Sequence, residues 1–435
     1  MDSLLNMARP PVFCPGCSHE RITHALSEAF ARMELSGEKI ALVSDIGCSG
    51  LFDTFFNTHA LHGLHGRALT YAVGLKMARP DLTVVVTMGD GGLGIGGAHL
   101  LSACRRNLDI TLLVLNNFNF GMTGGQFSAT TPTDVSVGSG FLNRLEKPLD
   151  LCAVARAGGA SFVSRNSSYE KELDRQMARA IAHPGFSVMD LWGICTGRYT
   201  KKNPWNPKRI DQSLAALPEI RGPVEENLRP EYGAAYREAA GALPPAPEPI
   251  LVEKVFEPAA PGRSEVLILG SAGMRILTAG DLLCMAGMSA GLCASQKNDY
   301  NITVLRGPSV SEIILDPAGG GFAGIAHPSA ILALSAEGVE RRRKIFDIAT
   351  ETTRIIKAKG VPIPSCRGVV TEVDFKAKGL RQNDWALGAL AILAGLSRIV
   401  TPAMLDRAIH IRFKGEALKA SLAVVEKMQT GPGAL

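Results

Sequence analysis

Over residues 1–200, continuous apolar runs alternate with segments of helical period. Lys39 to Ser44, Leu82 to Met88, Ile110 to Leu115, Ser161 to Ser164 and Phe186 to Trp192 read as buried strands. Arg21 to Met33 and Gly97 to Arg106 read as helices between them. Strands that are apolar at every position, rather than at every second one, belong to parallel sheets covered on both faces. In such sheets ligands gather at the C-terminal strand ends. Those ends carry Asp45-Ile46-Gly47-Cys48, Gly89-Asp90-Gly91 and Asn116-Asn117.

The pattern then breaks at Pro204, Pro207, Pro218, Pro223 and Pro230, and Leu243 to Pro249 reads as an extended spacer. A second periodic region opens with a strand over Glu265 to Leu269 and a turn, Gly270-Ser271-Ala272-Gly273. A helix over Met274 to Met288 follows, with strands over Asn301 to Leu305 and Ala330 to Leu334. Helices over Asn383 to Leu396 and Gly415 to Met428 close the chain, and Pro402 suits a helix start. The expected division is a first α/β domain over 1–200, a Pro-rich linker over 201–262 and a second α/β domain over 263–435.

Composition adds exclusions. The 435 residues carry 46 Lys+Arg and 41 Asp+Glu, a formal charge of +5, with no run of five like charges. That balance does not argue for a nucleic-acid partner. No segment reaches the ~18 apolar residues of a membrane span. The N-terminus lacks a signal layout, so a non-exported, cytoplasmic chain is expected. In a reducing compartment its nine cysteines are metal ligands, catalytic groups or buried fillers rather than disulfides.

Two constellations carry chemistry. In the first, Gly89, Gly91 and Gly92 flank Asp90 between a strand and a helix. Glycines there bring backbone N–H groups close to a phosphate, and the carboxylate suits a hard cation such as Mg²⁺. Asn117 stands at the next strand end, 27 residues on, where its side-chain oxygen suits the same ion and the carbonyl of Asn119 joins it. Thr123 and Gly124 add backbone donors. In the second, Cys14-Pro15-Gly16-Cys17, Cys48 and Cys195 offer four thiolates, which suit tetrahedral zinc or a [4Fe–4S] cluster; the spacing does not choose, and a redox-active dithiol competes. Cys104, Cys152, Cys284, Cys293 and Cys366 read as fillers.

Gly89-Asp90-Gly91 followed by Asn116-Asn117 resembles the thiamine-diphosphate signature. Further segments resemble the thiamine-diphosphate-binding β subunit of 2-oxoacid:ferredoxin oxidoreductases. They are Phe13 to His19, Gly47-Cys48-Ser49-Gly50, His65-Gly66-Arg67-Ala68, Arg105-Arg106-Asn107 and Gly121 to Gln126. Residues 263 to 435 resemble the γ subunit of the same enzymes through softer motifs, among them Gly270, Gly273, Thr278-Ala279 and Arg306-Gly307. The family turn is usually denser in glycine than the one here.

The resemblance implies a thiamine-diphosphate-binding fold followed by an α/β domain of γ-subunit type. It implies Mg²⁺ on Asp90, Asn117 and the backbone of Asn119, and a [4Fe–4S] cluster on Cys14, Cys17, Cys48 and Cys195. Cofactor contacts carry over to Gly47, Ser49, His65, Gly66, Gly89, Gly91, Gly92, Thr123 and Gly124, with His65 the catalytic candidate. The implied reaction is coenzyme A-dependent oxidative decarboxylation of a 2-oxoacid, or its reverse, with electrons passing to a ferredoxin or ferredoxin-like subunit. The glutamate that activates thiamine is expected from a partner α subunit, in a hetero-oligomer. The competing reading is a non-redox thiamine-diphosphate decarboxylase or carboligase with a structural zinc.

Overall fold

The computed structural model describes residues 3–246, 248–300, 306–319, 321–322, 324–396 and 398–429. The chain divides into two units, Met1–Pro245 and Ala246–Leu435. The strand expected over Asn301 to Leu305 lies outside the described residues.

The first unit holds seven strands: β1 (Ile40–Ser44), β2 (His59–His62), β3 (Thr83–Gly89), β4 (Ile110–Asn116), β5 (Phe162–Ser167), β6 (Phe186–Trp192) and β7 (Arg221–Pro223). They form one sheet in the order β2-β1-β3-β4-β6-β5-β7, parallel except for the edge strand β7. The helices are α1 (Ser18–Arg32), α2 (Ala68–Ala78), α3 (Asp90–Ile95), α4 (Gly97–Arg106), α5 (Leu151–Gly158), α6 (Leu173–Ala182), α7 (Pro207–Ala215) and α8 (Tyr232–Gly241).

Alternate strand residues feed two separate cores. Ala41, Val43, Val84, Val86, Leu112 and Val114 pack with α2, α4 and α5. Ile40, Leu42, Val85, Leu113 and Leu115 pack with α1 and α6 on the other face. This is why the central strands lack polar alternation: each apolar side chain is buried whichever face it takes, worth about 1.5–3 kcal/mol apiece. Asn107 ends α4 at φ 55° and is fully buried. Its side chain accepts the Phe186 N–H and donates to the carbonyl of Arg229.

The linker expected over 201–262 is shorter. Asn206 caps α7 by accepting the Arg209 N–H, with Pro207 at the first helical position. β7 pairs antiparallel with β5, Val163 opposite Gly222, so Pro223 sits on an edge strand that tolerates it. The prolines punctuate structure here, and the longest stretch of this region with neither helix nor strand among the described residues lies between α8, which ends at Gly241, and the next strand, which begins at Ser264.

The second unit contains β8 (Ser264–Ser271), β9 (Cys293–Tyr300), β10 (Pro308–Asp316), β11 (Ala330–Ala333), β12 (Arg354–Ala358) and β13 (Val369–Val373). Its sheet runs β13-β12-β11-β8-β10-β9 and is mixed, since β10 lies antiparallel to both β8 and β9. α9 (Ile276–Met288), α10 (Ala336–Arg341), α11 (Trp385–Gly395), α12 (Pro402–Arg412) and α13 (Gly415–Gln429) complete it. In the turn after β8, a Cβ on Gly270 would lie 2.3 Å from Ile276, so that glycine permits close strand–helix packing. Gly273 supplies a left-handed φ of +85°. Among the described residues no helix is long and apolar enough to cross a membrane.

Candidate active site

The C-terminal ends of β1, β3 and β4 open into one cleft in the first unit. Gly47, Cys48 and Ser49 line it after β1, Gly89 to Gly92 after β3, and Asn117, Asn119 and Thr123 after β4. His65, from the loop before α2, also lines it. Gly66 and Gly124 are not among the lining residues, and the Gly66 N–H is already donated to Asp45.

The cleft is a concentration of unmet polar demand. Ser49, Asp90, Asn117 and Asn119 are all buried. Their Ser49 Oγ, Asp90 Oδ2, Asn117 Oδ1, Asn119 Oδ1 and Asn119 Nδ2 atoms have no hydrogen-bond partner. Each such atom costs roughly 1–3 kcal/mol, so five together mark a site held ready for a ligand. Burial pushes the Asp90 carboxyl up to about 7, against the Ser128 hydroxyl and the Asn117 backbone, which favour the charged form. A buried carboxylate beside neutral amide oxygens lacks a cation, and that donor set fits Mg²⁺ on a diphosphate.

The turn after β4 aims these groups. Phe118 holds φ 62°, a left-handed conformation that costs a non-glycine residue roughly 1–2 kcal/mol. It is 2% exposed and caged edge-on by Trp192 (5.0 Å) and Trp205 (5.5 Å). Its carbonyl accepts the Thr131 hydroxyl at 2.7 Å. Behind it, Asn116 donates to Asp190 at 2.9 Å and accepts from Thr130 at 2.8 Å. This buried network holds the reversal that points Asn117 and Asn119 into one cleft. Asn119, expected as a cofactor contact and as an ion ligand through its carbonyl, also brings an unpartnered side-chain amide to the cleft.

Two of the glycines that line the cleft are also required by packing. A Cβ on Gly92 would fall 1.7 Å from Asp45 Oδ2, and one on Gly91 would fall 2.4 Å from the Phe120 ring. Asp45 and His19 are further polar groups at the cleft to which the sequence alone assigns no role. Asp45 is fully buried beside His65. His19 lines the cleft, lacks a partner at Nδ1, and is lowered to about 4 by burial. The signals were an acid at a strand end and a histidine two residues past Cys17.

Of the four candidate cysteines, Cys48 lines this cleft, and Cys14, Cys17 and Cys195 lie close enough to it or to one another to affect their ionisation. Ser18, opening α1, exchanges hydrogen bonds with Ile194, which clamps the Cys14–Cys17 turn onto the loop after β6. Burial pushes the Cys17 thiol up to about 12, reinforced by Cys195, Cys48 and Cys14. Burial, then Cys195 and Cys14, raise Cys48. These mutual effects place the four sulfurs in one neighbourhood. Thiols that ionise only against burial and one another fit a metal group, whose positive charge would favour their thiolate forms. Among the described residues, no three His, Cys, Asp or Glu side chains are grouped to hold a single metal ion. Of the other five cysteines, Cys104 and Cys152 are buried as fillers, Cys284 and Cys366 are partly buried, and Cys293 is exposed, contrary to expectation.

The family model for the C-terminal thiamine pyrophosphate-binding domain of thiamine pyrophosphate enzymes matches residues 45–191. The chain is 39% identical over 196 residues to the 2-oxoglutarate synthase subunit KorB of Archaeoglobus fulgidus, spanning 45% of this chain and 73% of that one. It is 41% identical over 224 residues to the 2-oxoacid:ferredoxin oxidoreductase subunit beta of Saccharolobus solfataricus, spanning 49% and 72%. Among solved structures it is similar to the 2-oxoglutarate:ferredoxin oxidoreductase from Magnetococcus marinus with 2-oxoglutarate, coenzyme A and succinyl-CoA bound. That match has 26% identity and a TM-score of 0.49, and covers 56% of this chain and 91% of that chain.

Proposed function

Because the chain belongs to the family of 2-oxoacid:ferredoxin oxidoreductase β subunits, we propose that its first unit holds thiamine diphosphate with Mg²⁺ in this cleft and a [4Fe–4S] cluster on Cys14, Cys17, Cys48 and Cys195. The observation that carries the reading is the set of buried, unpartnered atoms on Ser49, Asp90, Asn117 and Asn119. The Asp90 carboxylate, the Asn117 side-chain oxygen and the Asn119 carbonyl hold the ion. Ser49 and the Asn119 side chain complete the polar lining, and Leu115 and Phe120 limit water.

Bound thiamine diphosphate supplies the electron sink for loss of carbon dioxide from a 2-oxoacid. The four thiolates keep the electron acceptor beside the cleft. Coenzyme A takes the acyl group, and a ferredoxin or ferredoxin-like subunit takes the electrons. No glutamate lines the cleft among the described residues, which supports an α subunit that contributes the activating carboxylate at an interface. The second unit is read as the γ part of the same hetero-oligomer, joined here in one chain, which raises its effective concentration. Nine free cysteines suit a reducing cytoplasm.

Titration of the full chain with thiamine diphosphate tests the reading. Saturable binding that requires a divalent ion is expected, and Asp90→Ala or Asn117→Ala should weaken it roughly tenfold or more. Unchanged affinity in both variants would overturn it.

A further inference from the structure

Asp45 is fully buried just after β1 and its two oxygens are committed. Oδ1 accepts the Gly66 N–H at 2.6 Å, and Oδ2 lies 2.9 Å from His65 Nδ1. Among the described residues no lysine or arginine is paired with it, so His65 is its one ionisable partner. A carboxylate only accepts, so Nδ1 carries a hydrogen, and Nε2 is the nitrogen left free to take up or give up a proton. The His65 side chain is 33% exposed, lines the cleft, and stands edge-on to Phe120 at 6.1 Å. Nε2 has no hydrogen-bond partner among the described residues.

The backbone is shaped around this pair. Gly92 has no Cβ where one would fall 1.7 Å from Asp45 Oδ2 and 3.3 Å from the His65 ring. Gly66 is at φ +74°, where a Cβ would meet Ile95 at 2.6 Å. Its N–H thereby reaches the carboxylate. Two glycines beside one carboxylate–imidazole contact, in the wall of the cleft, are more than a surface histidine needs. His62 provides the contrast. It also meets a buried aspartate, Asp53 at 3.2 Å, but it does not line the cleft.

We propose that His65 is a catalytic proton-transfer residue of this cleft, and that Asp45 is the positioning residue that fixes Nε2 as the transferring atom. This rests on the reading of the cleft given above and adds a role to it. As an O–H or N–H bond of the bound reactants breaks, an Nε2–H bond forms. The same proton returns in a later step, so the cycle leaves no net proton on the ring. The Nδ1–H stays with Asp45 throughout.

The test uses the full chain with its partner subunit, thiamine diphosphate and Mg²⁺. With ¹⁵N-labelled histidine, the signals lost in His65→Gln identify the His65 ring. The wild type should show hydrogen on Nδ1 and a bare Nε2. In Asp45→Asn the new Oδ1 still accepts the Gly66 N–H, so its Nδ2 must donate to Nδ1, and the tautomer should invert. Both variants should lose about a hundredfold or more in kcat, while the KM for the 2-oxoacid and the thiamine diphosphate affinity stay within about threefold. His62→Gln should leave all three unchanged.

A wild-type ring with its hydrogen on Nε2, or a His65→Gln enzyme with wild-type kcat, would overturn the proposal while thiamine diphosphate binding stood. Failure of the wild-type complex to bind thiamine diphosphate would instead overturn the underlying reading of the cleft.

Discussion

Asp90 concentrates the chemistry of the first unit in one carboxyl group. Its folded-state value of about 7 lies above the ordinary 3.8 because of burial. Between those values the folded chain keeps a proton that the unfolded chain has released. Stability of the protein without its diphosphate ligand should therefore fall as pH rises from about 4 to 7, by on the order of a few kcal/mol. Melting wild type and Asp90→Asn at pH 5 and pH 8 checks this. Asp190, raised to about 6 by burial, titrates in both proteins, so the comparison is of the difference between them. The wild type should lose more stability across the interval than the variant, and equal losses would contradict the account. Ion binding has the opposite trend, because it needs the charged form: affinity for Mg²⁺ and thiamine diphosphate should weaken as pH drops below 7. Asp90 and Asn117 were legible because their spacing places them at successive strand ends. Phe118 was not, since a left-handed φ on an aromatic is imposed by Trp192 and Trp205, far off in sequence. Asp45 was hidden for a similar reason: its partner His65 is 20 residues away.

Elements with two buried faces declared themselves. β6 matches its apolar run to the residue, and β1, β3 and β4 fall within a residue of theirs at each end. Edge and polar strands did not. β2 is exposed at all four positions and is held by backbone pairing to β1, so its sequence carries no apolar signal. β9 pairs with β10 through a segment rich in Gln, Lys, Asn and Asp. β7 was lost among prolines, although it covers the edge of β5. That cover has a measurable consequence. A chain ending at residue 245 should fold, melt cooperatively and bind Mg²⁺ with thiamine diphosphate. One ending at residue 200 loses β7 and the buried Ile210, leaves β5 as an open edge, and should aggregate on size-exclusion chromatography. Equal melting temperatures for the two would show that 201–245 belongs to the linker over 201–262 that the prolines suggest.

At the scale of the whole chain, a thiamine-binding unit and a second α/β unit share one polypeptide, and the cysteines divide by place rather than by number. Four converge beside the cleft, and the other five are scattered over both units. That convergence was legible only through family resemblance, because Cys195 lies 147 residues beyond Cys48 and its approach depends on α1 clamping the loop after β6. Anaerobic preparations should contain about four irons per chain, and replacing Cys17 or Cys48 with serine should lower that content without abolishing thiamine diphosphate binding. The central claim is that decarboxylation at the cleft delivers electrons to an iron–sulfur cluster that those four cysteines would hold. Its most direct test is the visible absorption of the anaerobic complex with its partner subunit, thiamine diphosphate, Mg²⁺ and coenzyme A, challenged in turn with pyruvate, 2-oxoglutarate, branched-chain and aryl 2-oxoacids. The account predicts iron–sulfur absorption that bleaches with at least one of them and fails to bleach in Asp90→Ala. A colourless, zinc-containing protein, or absorption indifferent to every 2-oxoacid, would contradict it.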